Sequence, residues 1–499
     1  MIKNYKYYSC NFHLYICLLV YSLLFIICVP VIAQTDDEIY FINSYKYNID
    51  GKTREYAVDY RAAIITGEEI TGYSNLENFI QGKTQLLLNE RVFESVNIDY
   101  TIGDMDDSGK YPVDLIIHIK DTWNFIALPY PKYDSNTGFS LTIKARDYNF
   151  LGTMSPLRID AGYERNNNGK NFFNLMLDTD IPVYLFGLIW NIDFDHSIVY
   201  RPDLDYPLYY RNTTGLSLEV PVRRSTITVG FSEILTVNDE KPGVYMTSKP
   251  YISWRIPTGL IMSDFGELSY SPSISVSFNH EFPDWPLADS LIGPFLNFSH
   301  SLGFGRVNWI GNFRKGFSFN IYNSFKYNFF NAQNDLNPMS GDLHITGTAH
   351  FAIKDFSGVS VRIMYRYFFF DGFDSSAGSI LRGIRDSSVK ADKMLSLNID
   401  ASVRALKFRP SEWFNNSSFW RIFDFDFHIG PVIDAALYND PYNPVTFAFN
   451  DLLLTAGIEA VIFPLRWRSI FLRVSFGKNF SIADLNDSYE LFIGMEFHH

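Results

Sequence analysis

Cysteine is absent from almost the whole chain. Cys10, Cys17 and Cys28 are its only three, and all lie near the start. Everything downstream lacks a thiolate nucleophile, a cysteine metal site and a disulfide framework. Positive charge is also scarce: 42 Lys and Arg stand against 55 Asp and Glu, for a formal charge of −13. A nucleic-acid partner needs a basic footprint, so that class is excluded. Long apolar runs are missing too. Only Leu14 to Ala33 is long enough to cross a bilayer as a helix, and no later run approaches about 18 residues.

Chemical constellations are equally thin. Gly82-Lys83-Thr84 lacks the glycine that a phosphate loop needs five residues earlier, where Glu77 stands. Asp104, Asp106, Ser108 and Gly109 are similar to a calcium loop, but Leu115 fills the position of the bidentate carboxylate. These residues read instead as a polar hairpin tip. His196, His280, His300, His344 and His350 show no ligand spacing, and no Ser, His and Asp group assembles at one place. The chain reads as a non-enzyme with no cofactor and no metal.

What is present begins with a targeting pattern. Lys3 and Lys6 precede the apolar stretch, which ends in Val31-Ile32-Ala33 with small residues where a signal peptidase reads. Residues 1–33 are therefore expected to be a secretory signal. Ile27 before Cys28 argues against a lipoprotein. Aromatics make up 17% of the chain, with 45 Phe and 32 Tyr.

The remainder divides near residue 123. Residues 39–121 read as a small α/β domain. A strand spans 39–50, and a helix capped by Thr53 runs to about Ile64. A Gly- and Thr-rich break follows at 66–74. Leu76, Phe79, Ile80, Leu86 and Leu87 then recur at helical spacing. Val96, Ile98 and Tyr100 alternate, as do Val113, Leu115, Ile117 and Ile119, so two strands close the domain.

From 124 to 499 the texture changes to segments of alternating polarity, separated by Gly, Asn, Asp, Pro and Ser. Leu472, Val474 and Phe476 face one way; Arg473, Ser475 and Gly477 face the other. Tyr489, Leu491, Ile493, Met495 and Phe497 repeat the pattern in the last segment. About 18 such stretches are present. Only a closed antiparallel barrel satisfies such a backbone in lipid.

Five passages, in order, resemble the BamA/TamA/Sam superfamily of outer-membrane assembly and translocation proteins, in which POTRA domains precede a barrel. They are Asn-Ile-Asp-Gly-Lys-Thr at 48–53, Asn-Phe-Leu-Gly-Thr at 149–153, Gly-Ser-Ile-Leu-Arg-Gly-Ile at 378–384, Gly-Pro-Val-Ile-Asp-Ala-Ala at 430–436, and residues 455–464. Leu381 and Ile384 depart from that superfamily's usual Val and aromatic, Ala436 from its Gly, and His498-His499 follow Phe497. Only one POTRA-like domain fits before the barrel.

The resemblance implies a 16-stranded transmembrane barrel in the outer membrane, some stretches merging, with residues 39–121 in the periplasm. It implies a long loop folded into the lumen through Leu381, Arg382, Gly383 and Ile384, with Asp434 on the wall as the partner of Arg382. It implies that Tyr489, Leu491, Ile493, Met495 and Phe497 form the closing strand and its assembly signal. Function would be insertion of outer-membrane proteins by strand pairing at a weakly closed seam. The partners would be outer-membrane lipids, unfolded outer-membrane protein clients, and periplasmic chaperones or accessory lipoproteins. A two-partner-secretion transporter and a passive porin or adhesin are the alternatives.

Overall fold

The computed structural model describes residues 38–499 apart from 204, 239–242, 263–265, 335, 371, 415–418, 444, 446, 467–469, 482–488 and 498–499. The expected signal at 1–33, His498-His499, and the side chains of Met495 and Phe497 lie outside the described residues.

The N-terminal domain runs β1 (Ile39–Asp50), α1 (Glu55–Ala62), β2 (Glu69–Thr71), α2 (Tyr73–Asn89), β3 (Phe93–Ile102) and β4 (Lys110–Asp121). Its sheet has the order β2-β1-β4-β3, with β1 parallel to β4 and the other pairs antiparallel. The alternating residues Val96, Ile98, Val113, Leu115 and Ile117 turn to one face, where Val58 of α1 and Leu76, Ile80 and Leu87 of α2 bury them. This is the expected register, because a slip of one residue would have turned that set to solvent.

Three local readings change. β2 lies inside the segment read as a break, since three residues are too few to show alternation. Leu86 is exposed, off the buried stripe of α2. Thr53 does not cap α1: Arg54 holds that position without a side-chain cap. The Thr53 hydroxyl instead donates to Asp121 Oδ1 at 2.6 Å and ties the helix entry to the end of β4. Lys83, from the rejected phosphate motif, lies in α2 and donates to the carbonyls of Ala62 and Ala63 at 2.8 Å. It thereby satisfies the open C-terminal end of α1.

Strands β5 (Phe125–Asp134) to β22 (Tyr489–Phe497) follow and close into one barrel in sequence order. Each pairs antiparallel with its neighbour, so the barrel has 18 strands, not the 16 that the resemblance implied. The stretches do not merge because tight reversals separate them. Phe186-Gly187, Arg223 and Gly311 all have positive φ there, the conformation that hairpin turns demand. Ile252, Trp254, Ile274 and Phe298 are exposed on the outer wall, while Ser217, Thr236, Ser275 and Asn398 are buried inward. No helix among the described residues is long and apolar enough to cross a membrane. An apolar outer face around a polar lumen is the surface of a barrel that crosses with strands.

The N-terminal domain sits against one rim, called here the near rim. Tyr56 donates to the Pro182 carbonyl at 3.1 Å and Tyr60 to the Glu219 carboxylate at 3.2 Å. Arg306 donates to the Gly82 carbonyl at 3.3 Å, and Arg91 lies 4.5 Å over the Trp309 ring. The chain enters β5 at this rim, so successive connections between barrel strands fall at the far rim and the near rim in strict alternation, the first at the far rim.

A candidate functional site at the lumen loop and the barrel seam

The connection between β17 (Ser357–Phe369) and β18 (Lys393–Phe408) starts at the far rim and folds back into the lumen. Apolar burial holds it there. Ala377, Ile380, Leu381, Ile384, Val389 and Ala391 pack against Met394, Ala436, Tyr438 and Leu453 on the wall. Leu381 and Ile384 are both essentially fully buried, each worth roughly 1.5–3 kcal/mol.

Between those two anchors Arg382 meets the wall of β19 (Phe425–Asn439). Strand alternation decides what it meets: Ile433 is 45% exposed toward lipid, and Asp434 is 1% exposed toward the lumen. The Arg382 backbone N–H donates to Asp434 Oδ2 at 2.8 Å and its Nε donates to the same oxygen at 2.9 Å. Nη2 donates to Asp434 Oδ1, completing a bidentate fork. Nη1 donates to Asp400 of β18, and Glu459 stands 3.9 Å away. A guanidinium does not neutralise itself by losing a proton, so three carboxylates around it answer its charge. Asp400 and Glu459 are neighbours of Arg382 that spacing did not reveal, because they come from different strands.

Gly383 lets the loop lie flat. Its φ is +97°, and a Cβ there would stand 2.8 Å from the backbone carbon of Gly477 in β21 (Ile470–Asn479). A Cβ on Gly477 would likewise stand 2.7 Å from the Arg382 carbonyl carbon. The two glycines thus permit backbone-to-backbone contact.

The same loop reaches across the seam. Gly383 N–H donates to Glu490 Oε2 of β22 at 3.0 Å. Glu490 Oε1 accepts from Asn136 in the turn after β5 at 2.8 Å, and Asp386 N–H donates to Asn136 Oδ1 at 3.2 Å. One loop therefore holds both sides of the joint between the first and last barrel strands.

That joint is weak. β21 pairs with β22 from Ile470↔Phe497 to Lys478↔Tyr489. Among the described residues β22 pairs with β5 at two positions, Phe492↔Asp134 and Ile493↔Tyr133, toward the far rim. Below them, Phe125–Lys132 pair with β6 (Gly138–Asp147) alone. The sequence explains this. Ser135 N–H donates to the Leu491 carbonyl at 3.2 Å, so residues of the same parity in β5 point their nitrogens at β22. Those residues include Pro129 and Pro131, which have no N–H to give. Continuing the register sets Pro131 opposite Met495 and Pro129 opposite Phe497. Alternate prolines in a strand signal an unpaired edge; the motif reading passed over them.

Of the other expected closing-strand residues, Tyr489 and Ile493 are exposed on the outer wall, and Leu491 is half-buried.

The fold and this site define an outer-membrane-type β-barrel with a small α/β domain at one rim, a loop pinned in its lumen and an incompletely zipped seam. No protein-family description and no curated protein matches the sequence. Among solved structures, BamA from Haemophilus ducreyi lacking POTRA domains 1–3 is similar over 91% of this chain and 84% of its own, at 14% identity and TM-score 0.41. CdiB from Acinetobacter baumannii is similar over 92% and 74%, at 12% identity and TM-score 0.46. CdiB from Escherichia coli is similar over 94% and 93%, at 9% identity and TM-score 0.43.

Proposed function

We propose that this protein is an outer-membrane assembly factor that inserts client barrels by strand pairing at the β22–β5 seam. The observation that carries the reading is the two-position closure of that seam above an unpaired stretch of β5. An open strand edge is a template for another strand. A client's terminal strand would add there by β-augmentation, its main-chain groups giving affinity without a demanding sequence. Residues 39–121 act as a POTRA-like domain, the near rim is periplasmic, and the domain receives unfolded clients there. The Arg382 loop, bonded to Glu490 and through Asn136 to the β5 side, is the latch that sets how readily the seam parts. No bond chemistry, metal or cofactor is needed: the work is lowering the barrier to insertion.

Depletion of the protein in its host tests this. Folded levels of other outer-membrane barrels should fall, scored by heat-modifiable migration. If those levels hold while one exported protein fails to reach the surface, the two-partner-secretion reading replaces this one. If only small-solute uptake changes, the protein is a porin.

A further inference from the structure

Near-rim connections are mostly tight: Gly311 and Asn312 alone join Ile310 to Phe313, and Arg223-Arg224 join Val222 to Ser225. The connection from β18 to β19 is different. It spans residues 409–424 and contains two short helical turns, Pro410–Trp413 and Trp420–Phe423.

Its root is rigid. Arg409 donates to the Phe425 carbonyl at 2.6 Å and its guanidinium pairs with Asp426. Ser411 donates through N to Asp424 Oδ1 at 3.1 Å and through Oγ to Asp424 Oδ2 at 2.5 Å, and both residues are buried. Its tip is aromatic and open: Trp413 is 65% exposed, Phe414 49%, Phe419 60% and Phe423 47%. The rings order one another. Phe414 stacks on Trp420 at 4.5 Å, and Phe419 and Phe423 lie 5.5 and 5.9 Å from the same indole.

Register fixes which way the segment leans. Phe408 pairs with Phe425 and Leu406 with Phe427, whereas Asp426 and His428 are buried toward the lumen. Phe408 and Phe425 therefore share the lipid-facing wall with exposed Leu406. Trp413 packs edge-on against Phe408 at 5.3 Å, so the segment lies on the outer side of the rim and extends the lipid-facing surface. Arg421, exposed in the second turn, adds a cation.

We propose that residues 409–414 and 419–424 form a membrane-interface arm. Trp413, Phe414, Phe419 and Phe423 seat at the boundary between headgroups and acyl chains in the leaflet on the near-rim side. An indole, apolar with one N–H, favours that depth, phenyl rings beside it add buried apolar area, and a cation next to them reaches phosphates. The occupant is lipid, because the rings are continuous with a wall that already faces lipid. A rigid root with aromatic anchors sets the depth and tilt of this side of the barrel.

Site-directed spin labelling tests the arm in the full chain. Cys10, Cys17 and Cys28 are the only thiols to replace. Nitroxides are placed singly by Trp413→Cys, Phe419→Cys and Phe423→Cys. Ile433→Cys is the lipid-facing reference and Ile65→Cys, on the N-terminal domain, the aqueous one. In phosphatidylcholine vesicles containing an anionic lipid, the arm labels should lose access to an aqueous nickel chelate and gain access to oxygen, as at Ile433. Arm labels as open to the chelate as Ile65 would overturn the proposal. Should one substitution prevent folding, heat-modifiable migration identifies it and the other two positions decide.

Discussion

Restoring the missing seam donors is the sharpest perturbation the structure offers. Pro129→Val with Pro131→Val returns two N–H groups on the edge that faces Phe497 and Met495, and keeps an apolar side chain on the outer wall. A backbone hydrogen bond contributes a net of about 0.5–1.5 kcal/mol, so two contribute about 1–3 kcal/mol. That corresponds to roughly a 5- to 150-fold shift toward the closed seam. Valine also prefers extended backbone, which adds in the same direction. The assay is amide hydrogen exchange of the barrel in detergent or vesicles, read on peptides covering 125–134 and 489–497. The double variant should slow exchange there and leave peptides from β14 (Phe295–Ile310) unchanged. In cells it should fold and reach the membrane yet assemble clients poorly. Unchanged exchange at the seam would refute the reasoning, because the prolines would then not be what keeps it open. Slowed exchange with full client assembly would instead separate the seam from function.

Three other outcomes follow from particular residues. Arg382→Ala and Asp434→Ala should each free the loop to protease and impair assembly: the first leaves the buried Asp434 carboxylate without its partner, which costs about 3–5 kcal/mol, and the second removes the bidentate fork and leaves Asp400 and Glu459 to hold the guanidinium. The double variant should be little worse than either, and additive effects would show that the pair does not act as a unit. Leu115→Ala should destabilise the N-terminal domain by about 2–5 kcal/mol in denaturant unfolding, because its side chain is buried in the sheet face under α2. Burial raises the Glu90 carboxyl above its usual range, partly opposed by Arg61. With its folded pKa raised, Glu90 favours the folded domain most below its unfolded pKa, and that contribution is lost as pH rises through the folded pKa. Glu90→Gln should therefore flatten the decline in domain stability from acidic to neutral pH, and an unaltered pH profile would exclude Glu90 as its source.

Much of the architecture could be read from one-dimensional pattern, because the signals are local. A period of two along a strand is set by the pleat itself, so Leu472, Val474 and Phe476 announced the outer wall without any knowledge of neighbours. The same holds for Ile433 and Asp434, whose opposite faces follow from adjacency. Strand number was harder. The alternation marked about 18 stretches, and turn conformation at residues such as Phe186 and Arg223 decided that none merges.

What the tertiary structure alone decided is everything that depends on which strands meet. Asp400 and Glu459 lie 18 and 77 residues from Arg382 in sequence, and only the side-by-side pairing of the strands that carry them, with the loop folded onto that wall, brings their carboxylates to one guanidinium. Glu490 and Asn136 stand at opposite ends of the barrel sequence, and the loop joins them because the first and last strands are neighbours in the closed sheet. The seam shows both sides of the division. Pro129 and Pro131 carry in sequence the loss of two donors, a property of the residues themselves. That the loss falls on the edge facing β22, rather than on the ladder with β6, depends on the direction of each N–H, and pairing register alone sets that.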